Sequence, residues 1–506
     1  MITLIRLIDR LKRFWVTHCQ RAFGKSCGMD KKQAEALYDS GKEPTVEKLL
    51  EYDRKIKELD ELKEKNAKLE SDSQNSSKPP SSDNPQQRDK RKQNSDRKKS
   101  GRKPGGQPGH KGSNRELIPV EEVDDVISCY AEVCESCKWF CGCKKSHVLG
   151  EPLRWQQVEI PPIEPVVIEY QVFTLCGKCA EAHRGCLPPE VAISNFGARL
   201  TAMVGYFTAV LHVSRRMVRE CFETLLGVRL ALGSIQNLLE QTSKALQPMD
   251  KELKQALPKE AVLGADETGW HKRWLWIFVA RGFMYFHVAK SRASLVLKEI
   301  LGEIYCGILC VDRWGAYTKY HKGKLQICWA HLKRNFEGFK KLGEKIECAE
   351  AIAFAEAMQK LRKRLMALWY RFKEGDLDRG QLIEKSKHIR YEVKKRLQIG
   401  QDSEENCVRV FATRLLKLNS NLFTFILHEG VDPTNNFSER GIRPAVQWRK
   451  ICFGNRSDAG AVLTSRLLTA TRTCWLKKRN ALEFLVSTII AYRKSLPAPS
   501  LLEQSR

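Results

Sequence analysis

VLGAD at residues 262–266, WLWIFVA at 274–280, MYFHVA at 284–289, GILCVD at 307–312 and LQICWAH at 325–331 are five short apolar runs in close succession. They are rich in β-branched and aromatic residues, and turns and one helical segment, SLVLKEIL, separate them. Runs of this length and composition predict strands, here five strands of one mixed sheet. Two runs end in an acid, Asp266 and Asp312. A carboxylate ending a buried strand is costly unless it is paired or binds a cation.

Outward from this core the periodicity turns helical. Between about Ala192 and Leu257, MVRECFETLL, a break at Gly227 and GSIQNLLEQT, with Ser234 as N-cap, predict two helices about a turn. The pair reads equally as a helix-turn-helix or as a plain helical layer. Residues 335–425 and the last 75 residues also predict helices. Toward the N-terminus, residues 44–70 predict a polar helix, with Tyr52, Leu59 and Asn66 in one heptad position and Leu62 and Leu69 in the other. So short a repeat suits a lone solvated helix as well as a coiled coil.

The net charge of +27 favours a polyanionic partner, nucleic acid before an anionic membrane, over a generally basic surface. Two regions hold two thirds of it. Lys78–Arg115 carries 12 Lys and Arg against three Asp, in a Pro, Gly and Ser-rich stretch with almost nothing apolar to bury. Such a segment reads as a disordered linker able to lie along phosphates. Arg440–Arg479 carries ten Lys and Arg against one Asp, but is mixed with apolar positions and predicts folded helices. No stretch reaches the ~20 apolar residues of a spanning helix, and the basic N-terminus, interrupted by Arg6, Asp9, Arg10, Lys12 and Arg13, does not read as a signal peptide.

Seven of the 18 cysteines fall between Cys129 and Cys179. Cys134-x-x-Cys137 and Cys176-x-x-Cys179 each put two thiolates within reach of one ion, and together they complete a tetrahedral structural zinc site. Cys129, Cys141, Cys143, His147 and Cys186 lie close enough in sequence to compete as ligands. A redox role fits less well, because no βαβ pattern surrounds either pair. The alternating VVIEYQVF at 166–173 predicts a strand between the pairs.

A third acid, Glu439, opens a predicted helix in PTNNFSERGIRPAVQWRK. Two aspartates on one sheet and a glutamate from a packed helix are a donor set for two Mg²⁺ ions and phosphoryl transfer. Local explanations compete: Asp266 as a turn cap, Asp312 paired with Arg313, Glu439 paired with Arg443 at helical spacing. Trp270 and Trp314 either pack beside the acids or stack on a base, and His331 and Arg334 either approach a phosphate or satisfy buried bonds.

SSKPPSSDN, RKPGGQPGHKG, ADETGW, DRWGAY, CWAHLKRNF and NNFSERGIRPAVQWRK, in this order, resemble the large transposases of the insertion-sequence-66 family over about residues 45–490. The resemblance implies an α/β fold: an RNase H-like mixed-sheet core with a large helical insertion, preceded by an N-terminal helix, a basic disordered linker and a zinc-binding module. It implies a DDE transposase that cuts the ends of its element and joins the 3′ ends to target DNA, with Asp266, Asp312 and Glu439 as catalytic residues holding two Mg²⁺ or Mn²⁺ ions. One structural Zn²⁺ would sit on Cys134, Cys137, Cys176 and Cys179, although Lys138 and a further CGC depart from the family's first knuckle. Candidate DNA contacts are Arg102, Lys103, Lys111, His331, Arg334, Arg440, Arg443, Arg449 and Lys450. A DNA-binding regulator with an inactive core, or a nuclease without strand transfer, are the alternatives. The implied partners are DNA, a second copy of the chain in a homodimer or higher assembly, and accessory proteins of the element, in a bacterial cytoplasm at the nucleoid.

The expected organisation is an extension at 1–28 outside the resemblance, a helical segment at 29–70, the linker at 71–118 and the zinc module at 119–190. A helical region at 191–258, the first part of the core at 259–334 and the helical insertion at 335–428 follow. The Glu-bearing and basic helices at 429–495 and a tail at 496–506 complete it.

Overall fold

The computed structural model describes residues 116–129, 150–177 and 181–502, together with Glu51, Arg54, Lys55, Glu58, Leu62 and Gly109. Most of the expected N-terminal helix, most of the basic linker and the first cysteine pair lie outside the described residues. Leu62, which is helical, is exposed. The described chain is mixed α/β with a helical majority. No helix in it is long and apolar enough to cross a membrane.

A small antiparallel hairpin pairs β1 (Thr174–Cys176) with β2 (Ala182–Arg184). The expected strand over 166–173 does not form; among the described residues the chain there has no ladder partner, and Val166, Val167 and Ile168 are exposed. Alternation marks a face that could be buried, but a strand exists only where a ladder partner is present. Here pairing starts only at Thr174, opposite Arg184.

All five predicted core strands form one mixed sheet. They are β3 (Val262–Trp270), β4 (Arg273–Val279), β5 (Met284–Ala289), β6 (Ile308–Val311) and β7 (Leu325–Ile327), in the order β5-β4-β3-β6-β7. β4 and β5 pair antiparallel, while β6 runs parallel to both β3 and β7. The near-continuous apolar reading of β6 and β7 follows from burial on both faces. Two strand ends differ from the sequence expectation. β3 continues past Asp266 to Trp270, and β7 stops at Ile327, so that Trp329 and His331 are helical.

The chain divides into two compact units, with the boundary inside β3 after Asp266 and again after Arg440. The first comprises residues 1–91, 258–266 and 293–440. Its helices are α5 (Ser294–Leu301), α6 (Gly315–Tyr320), α7 (Trp329–Lys345), α8 (Ala349–Lys373), α9 (Arg379–Gln401) and α10 (Asn406–Leu416), the last four forming the expected helical stretch. α7 packs on α8, α8 on α9 and α9 on α10. Phe336, Phe339, Phe354 and Phe411 make edge-on ring contacts in their core. The first turn of α11 (Asn436–Cys452), as far as Arg440, ends this unit.

The second unit comprises residues 92–257, 267–292 and 441–506. It holds α1 (Ala198–Ala209), α2 (Arg215–Leu226), α3 (Leu232–Ala245), α4 (Gln247–Ala256), α12 (Asp458–Leu476) and α13 (Ala481–Arg493). α2 and α3 flank the predicted break, but the capping serine is Ser214, which accepts from the Met217 N–H; Ser234 lies inside the first turn of α3. α3 buries Ile235, Leu238 and Leu239 and packs against α1, α12 and α13, as a core layer does.

α12 also covers the edge of the sheet. β5 is an edge strand, and its Met284, Phe286 and Val288 N–H groups donate to the hydroxyls of Thr473, Thr469 and Ser465 at 3.1, 2.9 and 3.0 Å. Four helical residues advance about 6 Å and two strand residues about 6.6 Å, so hydroxyls at i, i+4 and i+8 meet alternate N–H groups. This satisfies an edge that would otherwise be open to pairing with another chain.

Candidate active site

The candidate acids of the sheet are set by strand register. Val262, Leu263 and Gly264 of β3 lie opposite Ile308, Leu309 and Cys310 of parallel β6. The same offset carried two residues further sets Asp266 beside Asp312, the first residue after β6. Asp312 is turned by its own backbone: one carboxylate oxygen accepts the Trp314 N–H at 2.7 Å. The neighbouring Arg313 sends its guanidinium to Asn335 Oδ1 at 3.0 Å and over the Phe411 ring at 4.4 Å. Burial there lowers its pKa to about 10.

Glu439 reaches the same unit through a segment pinned at several points. The Asn435 side-chain amide donates to the Ala265 carbonyl of β3 at 2.7 Å, and the Asn435 N–H to Cys328 Sγ at 3.1 Å. Trp329 N–H donates to the Pro433 carbonyl at 3.0 Å, and Cys328 N–H to the Val311 carbonyl of β6 at 2.9 Å. The start of α11 is thereby tied to β3, β6 and α7 together. Gly264 makes the approach possible. A Cβ there would lie 2.3 Å from Ser438 Oγ and 3.0 Å from Asn435 Oδ1. Asp266 lies two residues along β3 from Gly264, and period-two alternation puts both on the face that meets the α11 segment.

Once α11 begins, Glu439 falls in its first turn, with its N–H bonded to the Asn435 carbonyl at 3.1 Å. Its Oε1 lies 3.4 Å from His331 Nδ1 and 3.6 Å from Arg334 Nη2, from side chains three apart on one face of α7. The 3.4 Å approach lacks hydrogen-bond geometry. Burial first, and the cations of Arg334 and Arg313 next, push the His331 pKa down to about 3 and keep the imidazole neutral.

Cys328, His331 and Glu439 have their ligand atoms within 4.8 Å of one another. Burial pushes the Cys328 thiol up to about 11, and its sulfur accepts the Asn435 N–H. The donors suited to a hard divalent cation are the carboxylates of Asp266, Asp312 and Glu439, and the donor chemistry fits Mg²⁺ or Mn²⁺.

The two tryptophans differ: Trp270 is fully buried, whereas Trp314 is 41% exposed. Among the candidate DNA contacts, Arg440, Arg443 and Lys450 are exposed. Arg449 instead donates to the Gly269 carbonyl and Thr268 Oγ1, and burial lowers its pKa. Arg466 is held by Asp250 and the Ser243 carbonyl, so part of the basic C-terminal charge braces the second unit rather than facing solvent. Arg102, Lys103 and Lys111 lie outside the described residues. So do Cys134, Cys137 and Cys179, while Cys176 ends β1 and is exposed.

Sequence reasoning missed the residues that place the acids: Gly264, Cys328, Asn435 and Ser438. The signals were present as a glycine two residues before Asp266 and as asparagine and serine directly ahead of Glu439.

Residues 194–463 match the Transposase IS66 family, and residues 31–116 match a family of unknown function (DUF6444). An uncharacterized protein, y4qI, of Sinorhizobium fredii (strain NBRC 101917 / NGR234) is 22% identical, with 46% of each chain covered, so this chain spans just under half of that relative. With more than half of its length matched, including all three candidate acids, the chain belongs to the IS66 transposase family.

Proposed function

We propose that the protein cuts the ends of a mobile element and joins the 3′ ends to target DNA, with Asp266, Asp312 and Glu439 as the catalytic acids. What supports this reading most is the parallel register of Val262–Gly264 with Ile308–Cys310, which continued by two residues aligns Asp266 with Asp312, together with the Asn435 bond that ties the start of the Glu439 helix to the Ala265 carbonyl. The strand order, an antiparallel β3-β4-β5 meander followed by parallel β6 and β7, supports an RNase H-like core. Asp266, Asp312 and Glu439 would hold two Mg²⁺ or Mn²⁺ ions, which when bound activate a water or 3′-hydroxyl and stabilise the leaving oxygen.

The chain's own groups do the rest. Asn435 fixes the height of Glu439 over β3, Gly264 leaves the room for that close approach, and Arg334 places a cation beside Glu439 that suits a phosphate. Neutral His331 adds no further charge to repel a metal ion. In the same reading Cys134, Cys137, Cys176 and Cys179 hold a structural Zn²⁺, with Cys176 at the end of β1. The working form is a homodimer or larger assembly on DNA, aided by accessory proteins of the element.

Asp266→Asn, Asp312→Asn and Glu439→Gln, assayed with Mg²⁺ on labelled element ends, should each lose about a thousandfold or more in strand cleavage, roughly 4 kcal/mol. End binding should persist. Wild-type cleavage by any one of the three overturns the assignment, and cleavage without joining by the intact chain converts the reading to a nuclease.

A further inference from the structure

Away from the acids, the second unit contains an open cleft of about 660 Å³ lined by His271, Lys272, Arg273, Lys290, Asn455 and Arg456. Two turns, the tip of the β3–β4 hairpin and the turn between α11 and α12, build it together with Lys290, the residue after β5. Four cations line it, and two of them meet the carboxylate of Asp458, Arg273 at 2.7 Å and Lys290 at 3.8 Å. Arg273 is largely buried and committed to that pair, whereas Lys272, Lys290 and Arg456 are exposed.

Both turns hold side chains in backbone conformations that such residues rarely adopt. His271 has φ 51° and Phe453 has φ 59°. The surrounding contacts impose this. Gly454, at φ 87°, sits so close to the hairpin that a Cβ would lie 2.8 Å from His271 Cβ. Asn455 Oδ1 accepts from Trp270 Nε1 at 2.7 Å and from Thr464 Oγ1 at 2.8 Å, and Arg449 clasps the Gly269 carbonyl. The result is a rigid basic cleft with Phe453, two residues before Asn455, holding its ring 78% exposed. A basic groove with a presented aromatic ring is the arrangement that binds unpaired nucleic acid, cations on phosphates and ring on base.

We propose that this cleft binds an unpaired DNA strand, Lys272, Lys290 and Arg456 meeting consecutive phosphates and Phe453 stacking on a base. The proposal rests on the reading that the protein acts on DNA, and adds a strand-holding site distinct from the three acids.

The test uses the full chain without added divalent metal and follows fluorescence anisotropy of a labelled single-stranded oligonucleotide across a salt series. Lys272→Ala/Lys290→Ala/Arg456→Ala should flatten the slope of log K against log salt by about 2, since each lost phosphate contact on a single strand removes about 0.7. Phe453→Ala should weaken single-strand binding about tenfold while leaving binding to the matching duplex within twofold. Replacing the three cations by Lys or Arg of the other type should restore the slope. An unchanged slope in the triple alanine variant, with a wild-type melting temperature, overturns the cleft and leaves the carboxylate assignment standing. Cleavage by Asp266→Asn does the reverse, and absence of DNA binding by the intact chain overturns both.

Discussion

Gly264→Ala isolates the device that positions Glu439. The added methyl would sit 2.3 Å from Ser438 Oγ and 3.0 Å from Asn435 Oδ1, against roughly 3.5 Å for an unstrained contact. Relief requires a shift of roughly 1 Å between β3 and the first turn of α11, and overpacking of this kind costs about 1–3 kcal/mol. Glu439 follows Ser438 directly, so the shift carries its carboxylate away from the position set by Asn435. An error of that size costs about a hundredfold in rate. Ser438→Ala is the matching correction. The Ser438 hydroxyl is buried without a hydrogen-bond partner among the described residues, so its loss alone should change little. With it gone, the new methyl meets Ser438 Cβ at 3.7 Å, an ordinary contact, and only Asn435 Oδ1 remains tight. The double variant should therefore recover most of the lost melting temperature and at least tenfold of the lost cleavage. The assay is a double-mutant cycle read by thermal melts and by strand cleavage on labelled element ends. A single variant with wild-type cleavage would refute close approach as the reason for glycine, and a double variant no better than the single would refute Ser438 as the obstacle.

Thr469→Val keeps the shape of α12 but leaves the Phe286 N–H of the edge strand without its acceptor, and should destabilise the protein by about 1–3 kcal/mol in urea melts. His321 is buried between Tyr305 and Tyr320, with Nε2 3.2 Å from the Lys324 carbonyl, and burial lowers its pKa below the usual 6.5. The folded state then binds fewer protons than the unfolded chain below pH 6.5, so stability is complete above that value and declines as pH falls through it. His321→Gln should show a smaller loss between pH 7.5 and 5.5 than wild type; an equal loss would assign the decline to other groups.

What the sequence made legible was the sheet, because each strand carries its own signature. Five apolar runs became five strands, and the acids that close two of the runs were visible as costs that a buried sheet must justify, although β3 runs on past Asp266. Register was not legible, since nothing local says that Gly264 lies opposite Cys310 and hence that Asp266 stands beside Asp312. The stretch at 166–173 shows the same limit from the other side: its alternation is as regular as that of any core strand, yet without a partner it forms no strand.

Long-range polar contacts were the least visible. Asn435 reaches a carbonyl 170 residues earlier, and Thr469 an amide 183 residues earlier. Both read locally as ordinary helix-start or helix-interior residues. Charge misled for a related reason. Counting Lys and Arg along Arg440–Arg479 treats every cation as available, whereas Arg449 and Arg466 are committed to the carbonyls of Gly269 and Ser243. In the second unit the exposed cations Lys272, Lys290 and Arg456 gather instead around one cleft, beside turns that hold His271 and Phe453 at positive φ, an arrangement that no count of charge along the chain could show.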